Sequence, residues 1–321
     1  MPPKRKLKRS KSDDHLDYPI NKKKEEPKEE ENEQDKGGSM HKIYKRVFVR
    51  MAIVFTMIMS ARYFIGSPPE VPFVGVEEKV QRRFFEVPCS DDYKVDLKKF
   101  KACAPIKCGR AVMDYVVKKE EGIKLLNVAK KGMSLGYSNG GATILDLHSG
   151  ALTKGDKFVN IYSILPDGKD EIFTKEDFKL YSDIKDRIKA AIAKTFQIPK
   201  ETLYLTKPTF FSRLNNKPAQ NIHDEYWHSH VDKKTYGSFD YTSLLYLSDY
   251  NLDFLGGRFF FKDQDVNRTV EPRVGRLSFF TSGSENTHFV ERVHKGTRYA
   301  ITVSFTCDPS LAISDPVLPT K

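Results

Sequence analysis

The stretch Arg298–Phe305, with the sequence RYAITVSF, alternates in chemical character from one residue to the next. Its odd-numbered positions are aromatic or branched apolar residues, and its even-numbered positions are Arg, Ala, Thr and Ser. Successive side chains of a β-strand point to opposite faces of a sheet. The pattern therefore predicts a strand with one face in a core and Arg298 on the other, more polar face.

Short segments of similar character precede this strand as far back as Pro199, and turns separate them. The predicted strands are 202–206, 208–213, 225–231, 242–248, 258–262, 276–281, 288–293 and 298–306. Many short strands that follow a helical region predict an α+β chain. We expect the strands to form a double-stranded β-helix, or jelly roll.

Two helices are predicted before these strands. The first spans about 110–131, where apolar residues recur at helical spacing, and Gly132 is expected to end it. The second spans about 175–197, and Thr174 and Asp177 are expected to form its capping box. The apolar faces of both helices are expected to pack on the sheet.

The first 65 residues differ from the rest of the chain. Residues 1–46 are charged and poor in large apolar residues, which predicts a disordered cytosolic tail. Residues 47–65, VFVRMAIVFTMIMSARYFI, would form about 28 Å of helix, enough to cross a bilayer. Arg50 and Arg62 stand near its ends, where long basic side chains can reach the headgroups.

Basic residues crowd the N-terminal side of this apolar segment. By the positive-inside rule, they predict a type II, single-pass signal anchor with its tail in the cytosol. The body of the chain would then lie in the lumen of the endoplasmic reticulum or the secretory pathway. A buried or interfacial helix is the alternative reading of the segment.

The net charge of +11 does not by itself indicate a nucleic-acid partner. Residues 1–46 hold 14 Lys or Arg and 10 Asp or Glu, and the rest of the surplus is dispersed. No cluster interleaves basic and aromatic residues as a groove for single strands does. We therefore expect no nucleic acid among the partners.

The chain has four cysteines, which are Cys89, Cys103, Cys108 and Cys307. The closest pair has four intervening residues and no neighbouring histidine, which is unlike a zinc site. Disulfides are expected if this part of the chain is lumenal, and the spacing leaves their connectivity open. Asn267 begins an Asn-Arg-Thr glycosylation sequon, which would be used in the same compartment.

One short motif carries chemistry. His230 and Asp232 are two residues apart, so they share one face if segment 225–231 is a strand. Together with His288 they form a 2-His-1-carboxylate set, the donors of non-haem Fe(II) sites. Octahedral iron would keep three positions, two for a chelating 2-oxo acid and one for dioxygen.

Arg298 follows His288 by ten residues and suits the far carboxylate of such an acid, because guanidinium binds carboxylate bidentately and stays charged. The His-x-Asp spacing alone is a weak signal, since His15-Leu16-Asp17 repeats it in the charged tail. His228 and His294 are the alternative ligands: the first shares the predicted strand face of the motif, and the second is close to the distal histidine.

Residues from about 205 to 308 resemble the catalytic domain of the prolyl 4-hydroxylase group of Fe(II)/2-oxoglutarate dioxygenases. The resemblance is carried by a His-x-Asp motif, by Gly256-Gly257 and by the Pro272–Leu277 segment, PRVGRL. A distal histidine and a basic residue ten positions later complete it. Many members of the group have Lys where this chain has Arg.

The resemblance implies that His230, Asp232 and His288 bind Fe(2+). It implies that Arg298 anchors the co-substrate 2-oxoglutarate and that the Tyr246 hydroxyl reaches the same carboxylate. It also implies L-ascorbate as the reductant of over-oxidised iron. The reaction implied is hydroxylation of a side chain in a protein or peptide substrate, prolyl by analogy.

The resulting organisation has six parts. They are a charged tail (1–46), a transmembrane anchor (47–65), a linker with cysteines (66–110), a helical support region (111–200), the dioxygenase domain (201–310) and a C-terminal tail (311–321). Two other functions fit parts of the pattern. One is a non-catalytic lumenal jelly-roll binding module, and the other is a soluble nuclear hydroxylase.

Overall fold

The structure, a computed structural model, describes residues 36–64, 68–164 and 172–316. The chain divides into two compact units, Met1–Gly66 and Ser67–Lys321. The described part of the first unit is one helix, α1 (Lys36–Phe64). Most of the predicted charged tail, with its His15-Leu16-Asp17 motif, lies outside the described residues.

Helix α1 covers most of the segment 47–65, but the structure does not support the predicted membrane span. Across the three described ranges, no helix is both long and apolar enough to cross a membrane. The helix begins before the apolar run, and Lys42, Lys45, Arg46 and Arg50 all lie on it. These charged side chains lower its hydropathy.

The second unit contains five helices and fifteen strands among its described residues, besides short 3-10 turns. The helices are α2 (Asp96–Lys99), α3 (Lys119–Met133), α4 (Ile161–Ile164), α5 (Lys175–Phe196) and α6 (Asp232–Tyr236). The strands before the second long helix are β1 (Glu70–Val74), β2 (Arg83–Val87), β3 (Cys108–Met113), β4 (Tyr137–Ser138), β5 (Ala142–Leu145), β6 (Ala151–Gly155) and β7 (Lys157–Asn160). The strands after it are β8 (Tyr204–Asn215), β9 (Tyr241–Tyr246), β10 (Phe254–Gly256), β11 (Phe259–Lys262), β12 (Asn267–Val270), β13 (Leu277–Thr281), β14 (His288–Val290) and β15 (Val293–Thr306).

The strands form two sheets. The larger has the order β2-β3-β13-β9-β15-β8-β5-β6-β4, with β10 paired to β15 and β7 paired to β6. The smaller has the order β1-β12-β11-β14. Neighbours are antiparallel except in the pairs β1–β12 and β4–β6. Most of these neighbours are far apart in sequence, as in a jelly roll, so the sheet-rich core expected from the strand pattern is confirmed.

The two sheets enclose a core between them, and helices cover the outer face of the larger sheet. Phe259 and Phe261 of β11 belong to one buried cluster with residues of β3, β9 and β13. On the outer face, the ring of Phe196 in α5 lies 5.1 Å from that of Tyr241 and 6.1 Å from that of Phe279. The supporting role expected for the helices is therefore observed for α5.

The second predicted helix is confirmed, and the first is only partly correct. Helix α5 spans Lys175–Phe196, and Thr174 and Asp177 form the predicted capping box. Residues 108–113 are strand β3 instead of the start of a helix. Gly132 lies inside α3, which ends at Met133, so it does not end the helix. A Cβ at this position would stand 2.5 Å from Leu145 Cδ2, so the glycine permits close packing against Leu145.

Most of the strands predicted after Pro199 are present with shifted ends. Segments 202–206 and 208–213 are one continuous strand, β8, which pairs with β15 along most of its length. Strand β15 begins five residues earlier than predicted and keeps the expected alternation at Arg298. Segment 225–231 does not form a strand, as described below.

All four cysteines are in disulfides, and the structure gives the pairing that the sequence left open. Cys89 pairs with Cys108, and Cys103 pairs with Cys307. The second bond joins the segment before β3 to the residue that follows β15. It therefore ties the beginning of the domain to its last strand.

Candidate active site

His230 and His288 lie opposite each other and are joined by two backbone hydrogen bonds. The N–H of His230 donates to the carbonyl of His288 at 2.9 Å, and the N–H of His288 donates to the carbonyl of His230 at 3.1 Å. This isolated antiparallel bridge holds the two imidazole centroids 4.4 Å apart. Two residues distant in sequence thereby enter one site.

Asp232 reaches the same site from the start of a helix. The predicted strand 225–231 was wrong, because residues 226–228 form turns and bends and only His230 makes a β-bridge, after which α6 begins at Asp232. Val231 is extended and precedes the helix. The carboxylate nevertheless turns toward the histidines, and its Oδ1 lies 3.5 Å from His230 Nε2 and 3.6 Å from His288 Nε2.

These three side chains can hold a metal ion. Each offers one donor atom, and the three atoms lie within 4.8 Å of one another. Asp232 and His288 are buried, whereas His230 is half-buried. Two imidazoles and one carboxylate on one side of a metal leave its other positions open, which is the arrangement of non-haem Fe(II) sites.

Hydrogen bonds to the backbone fix the orientation of both imidazoles. Nδ1 of His230 is 3.0 Å from the carbonyl of His228, and Nδ1 of His288 is 2.8 Å from the carbonyl of Asn286. A carbonyl only accepts, so both Nδ1 atoms carry the proton. Both Nε2 atoms therefore face the centre as lone-pair donors, as metal-binding histidines do.

The second carboxylate oxygen of Asp232 is also held in place. Thr242 Oγ1 donates to Asp232 Oδ2 at 2.7 Å, and Ser282 Oγ lies 2.8 Å from the same hydroxyl. Burial alone disfavours the charged form, but His288 and His230 outweigh it and hold the pKa of Asp232 well below its usual value. The carboxylate is therefore anionic at neutral pH and ready to bind a cation.

Arg298 supplies a buried positive charge beside these residues. Its side chain is 1% exposed, and its Nε donates to the carbonyl of Gly257 at 2.8 Å. Its Nη2 is buried and has no hydrogen-bond partner among the described residues. Burial lowers the pKa of the guanidinium, while Tyr246 and Tyr226 favour its charged form. A buried N–H without a partner is costly, so this atom fits an anionic ligand.

Tyr246 lies next to Arg298, whose guanidinium carbon is 5.4 Å from the centre of the tyrosine ring. The hydroxyl is buried, and among the described residues its neighbour is the Ser278 hydroxyl, with no hydrogen bond of standard geometry. Burial raises the pKa of Tyr246 to about 12, so the hydroxyl keeps its proton and can donate. It is not among the described residues that line the adjoining cavity.

One cavity of about 360 Å³ contains His230, Asp232, His288 and Arg298 in its wall. The rest of its lining is mostly apolar and includes Phe210, Leu244, Phe259 and Val290. Phe158 and Tyr236 also line it and are 55% and 40% exposed. The three metal-ligand candidates and the Arg298 guanidinium therefore line the same cavity, as binding of a chelating acidic co-substrate requires.

Comparison with known proteins agrees with this geometry. Residues 218–306 match the family model described as 2OG-Fe(II) oxygenase superfamily. The chain is 61% identical over 239 residues to 2-oxoglutarate and iron-dependent oxygenase domain-containing protein 3 of Xenopus tropicalis. That match covers 74% of this chain and 75% of the relative. The chain belongs to the 2OG-Fe(II) oxygenase superfamily.

Two weaker matches to this oxygenase are prolyl hydroxylases. It is 28% identical over 220 residues to prolyl 3-hydroxylase 2 of Homo sapiens, a match that covers 62% of this chain and 30% of that protein. It also resembles a solved prolyl hydroxylase in complex with a hypoxia inducible factor oxygen degradation domain peptide fragment from Trichoplax adhaerens. There the TM-score is 0.42 with 15% identity, covering 66% of this chain and 86% of that chain.

The family fixes the class of reaction. This oxygenase is a 2-oxoglutarate-dependent dioxygenase, and it uses Fe(2+) and 2-oxoglutarate. The residues present fit both groups, because the His-Asp-His donors converge and an unpartnered N–H of Arg298 is buried beside them. The expectation that the chain is an enzyme is confirmed.

The alternative ligands considered for the oxygenase do not join the site. His228 Nε2 lies 2.7 Å from Glu225 Oε2, and His294 is exposed and lines a different cavity. Asn267, the glycosylation candidate, is half-buried at the start of β12, and Thr269 of its sequon is 1% exposed. Glycosylation at Asn267 stays a prediction.

Two residues that matter to the oxygenase site were not singled out from the sequence. Thr242 fixes Asp232, and only its alternation in segment 242–248 could have indicated which face it occupies. Gly257 leaves space for Arg298, and the Gly-Gly pair was noticed only as part of a family pattern. Residues that position a ligand or a binding residue occur at no characteristic spacing in the sequence.

Proposed function

We propose that this oxygenase hydroxylates a side chain of a protein substrate, prolyl by analogy with relatives such as prolyl 3-hydroxylase 2. The observation that carries the proposal is the His-Asp-His cluster in one cavity with Arg298, whose buried Nη2 has no hydrogen-bond partner among the described residues. The two exposed aromatic side chains in the wall of this cavity, Phe158 and Tyr236, offer contacts to a polypeptide.

In this proposal His230, Asp232 and His288 hold the iron. When bound, Fe(2+) with 2-oxoglutarate and dioxygen supplies the oxidising power that inserts oxygen into a C–H bond, with succinate and CO2 as products. L-ascorbate would serve as the reductant that restores Fe(2+). Arg298 would bind the far carboxylate of 2-oxoglutarate through its free Nη2.

The remaining contributions come from orientation and the exclusion of water. The backbone carbonyls of His228 and Asn286 hold the two imidazoles, and Thr242 holds the carboxylate. Leu244 and Phe259 make part of the cavity wall apolar, which keeps water from the bound co-substrate. The Tyr246 hydroxyl is proposed as a second donor to the carboxylate held by Arg298.

We also propose that the domain works in an oxidising compartment of the secretory pathway. The pairing of all four cysteines in two disulfides supports this, since such bonds persist in oxidising compartments. In sealed microsomes we expect the chain to be protected from added protease. We also expect its cysteines to resist alkylation until they are reduced. Digestion of the domain by protease added outside intact vesicles would exclude this location.

The catalytic proposal is tested by turnover in air with the full chain, Fe(2+), 2-oxoglutarate, ascorbate and a library of proline-containing peptides. We expect succinate release together with addition of one oxygen atom to a peptide. His230→Ala should abolish both signals, whereas His228→Ala, which removes an exposed imidazole two residues away, should keep them. Peptide-independent succinate release with no oxygenated product from any peptide would contradict the choice of substrate class.

A further inference from the structure

A second cavity, of about 530 Å³, lies beside the catalytic one. It is lined by the end of β8 and the residues that follow it, by the segment that leads to His230, and by the turn between β14 and β15. We name it the Trp227 cavity, after the one tryptophan of the chain. None of the three proposed iron ligands lines it.

Tyr226 separates the two cavities, since it lines both of them. Its hydroxyl donates to the carbonyl of Asn215 at 3.3 Å and accepts from the N–H of Val293 at 3.0 Å. These two hydrogen bonds fix the ring between β8 and β15. A molecule in the Trp227 cavity therefore lies one side chain away from the catalytic cavity.

Three basic residues line the Trp227 cavity, and two of them form no ion pair among the described residues. Lys217, Arg292 and His294 line it, and in the described part of the chain neither Lys217 nor Arg292 forms an ion pair, while His294 interacts with the Glu291 carboxylate. Lys217 is exposed, and its Nζ donates to the carbonyl of Ser138 at 3.3 Å. The lining carboxylate, Glu225, is already paired with His228.

Arg292 is held in a way that leaves its hydrogen-bond donors available. Its guanidinium carbon lies 3.6 Å from the centre of the Trp227 ring, a stacking contact. Among the described residues its side chain makes no hydrogen bond and no ion pair. Stacking on the tryptophan ring fixes the plane of the guanidinium and leaves the N–H groups along its edge free. Two of these N–H groups can donate to the two oxygens of one carboxylate.

We infer that the Trp227 cavity binds an acidic side chain, Asp or Glu, of the protein substrate a few residues from the position that is hydroxylated. The inference rests on the proposed function, because it assigns the cavity to the same substrate. An extended peptide advances about 3.3 Å per residue, so neighbouring residues of one strand can occupy adjacent cavities. Arg292 and Lys217 would bind the carboxylate, with Trp227 packing against its stem.

The single tryptophan provides the test, because it lines this cavity and its fluorescence responds to a ligand bound there. The probes are synthetic peptides of equal length in which proline alternates with glutamate, glutamine or lysine. The full chain with Fe(2+) and 2-oxoglutarate should bind the glutamate peptide at least about tenfold more tightly than the glutamine peptide. Equal affinities, or no response to the glutamate peptide, would overturn the inference.

Variants separate this contact from general attraction between charges. Arg292→Gln should weaken the affinity for the glutamate peptide about tenfold and leave the affinity for the glutamine peptide unchanged. Lys295→Gln removes a neighbouring exposed charge that does not line the cavity, and it should have little effect. Because Arg292→Gln also alters the surroundings of Trp227, affinities of the variants are measured by polarisation of labelled peptides. Equal losses in both variants would overturn the specific contact.

Two further measurements complete the test. One distinguishes a peptide carboxylate from a free dicarboxylate, and the other distinguishes failure of this inference from failure of the proposed function. Free succinate should not displace the glutamate peptide from the Trp227 cavity, and displacement would assign the cavity to a small dicarboxylate instead. Tight binding of the glutamate peptide without its oxygenation would support the carboxylate contact in the Trp227 cavity and count against the proposed function. Oxygenation of all three peptides with equal KM would support the proposed function and overturn the inference.

Discussion

The side chain of Arg298 passes over Gly257, and the two fit because Gly257 has no Cβ. The guanidinium Nε donates to the Gly257 carbonyl at 2.8 Å. A Cβ at Gly257 would lie 3.0 Å from Arg298 Cδ and equally close to Phe254 and Val293. Gly257 also has φ of +66°, a conformation that glycine adopts without strain. The Gly-Gly turn therefore determines where the buried cation stands.

Gly257→Ala should displace Arg298 and weaken the hold on 2-oxoglutarate. The left-handed backbone costs a non-glycine residue about 1–2 kcal/mol, and the new methyl group also crowds Arg298 Cδ. We expect KM for 2-oxoglutarate to rise by about tenfold, with a smaller change in kcat. Initial rates of succinate release at varied 2-oxoglutarate measure both.

Gly155→Ala is the matched control. Gly155 has φ of +69°, but the nearest atom to a Cβ there is at 3.7 Å, an ordinary contact. This variant should lose a similar amount of stability in urea denaturation and keep the KM for 2-oxoglutarate. A similar rise of KM in both variants would show that the contact with Arg298 is unimportant.

Thr242→Val should weaken metal binding while leaving the three proposed ligands unchanged. The hydroxyl of Thr242 donates to Asp232 Oδ2 at 2.7 Å, and valine has nearly the same shape without that donor. Loss of a partner that orients a ligand costs about tenfold in metal affinity. Competition titration with Co(2+) as the probe measures the affinity.

Ser243→Ala is the control for this titration. Ser243 is the next residue of β9, is equally buried and donates to the carbonyl of Val303 at 2.7 Å. It should lose stability but no metal affinity. The proposed role of Thr242 is wrong if the two variants bind Co(2+) equally well.

The sequence predicted well those helices and strands whose stabilising features lie within one short segment. Helix α5 has its capping box and its apolar face within one segment, and β15 has an alternation that no neighbour disturbs. Segment 225–231 has strand-like composition, but only His230 finds a partner, at the bridge to His288. A single bridge depends on tertiary position, so composition could not define it.

The site was predictable as a set of residues but not as a geometry. The spacing of His230, Asp232, His288 and Arg298 indicated which side chains to bring together. The expected strand face would have placed Asp232 differently from the observed start of α6. The strand β3 and the pairing of the cysteines depend on contacts with distant segments, and no local pattern encodes them.

The two disulfides should differ in their contribution to stability. The bond Cys103–Cys307 closes a chain segment of 204 residues, and Cys89–Cys108 closes one of 19. By chain entropy, removing the first should lower the free energy of unfolding by about 5 kcal/mol and removing the second by about 3 kcal/mol. Urea denaturation of the two double Cys→Ser variants measures the difference, and equal losses would contradict the entropic account.

His148 should make the stability of the domain dependent on pH. Its Nδ1 donates to the carbonyl of Ser314 at 2.8 Å, and its Nε2 accepts from the Tyr181 hydroxyl at 2.7 Å. Burial lowers the pKa of His148 below 6.5, more than the nearby carboxylates raise it. As the pH falls below about 6.5, His148 binds a proton in the unfolded chain before it does so in the folded chain. The stability that is present above about pH 6.5 is therefore lost as the pH falls through the folded-state pKa.

Tm should therefore fall between about pH 7.5 and pH 5.5. His148→Gln should reduce this fall, whereas His228→Gln, at an exposed position, should keep it. The same pH dependence in the wild type and in His148→Gln would assign the effect to other groups.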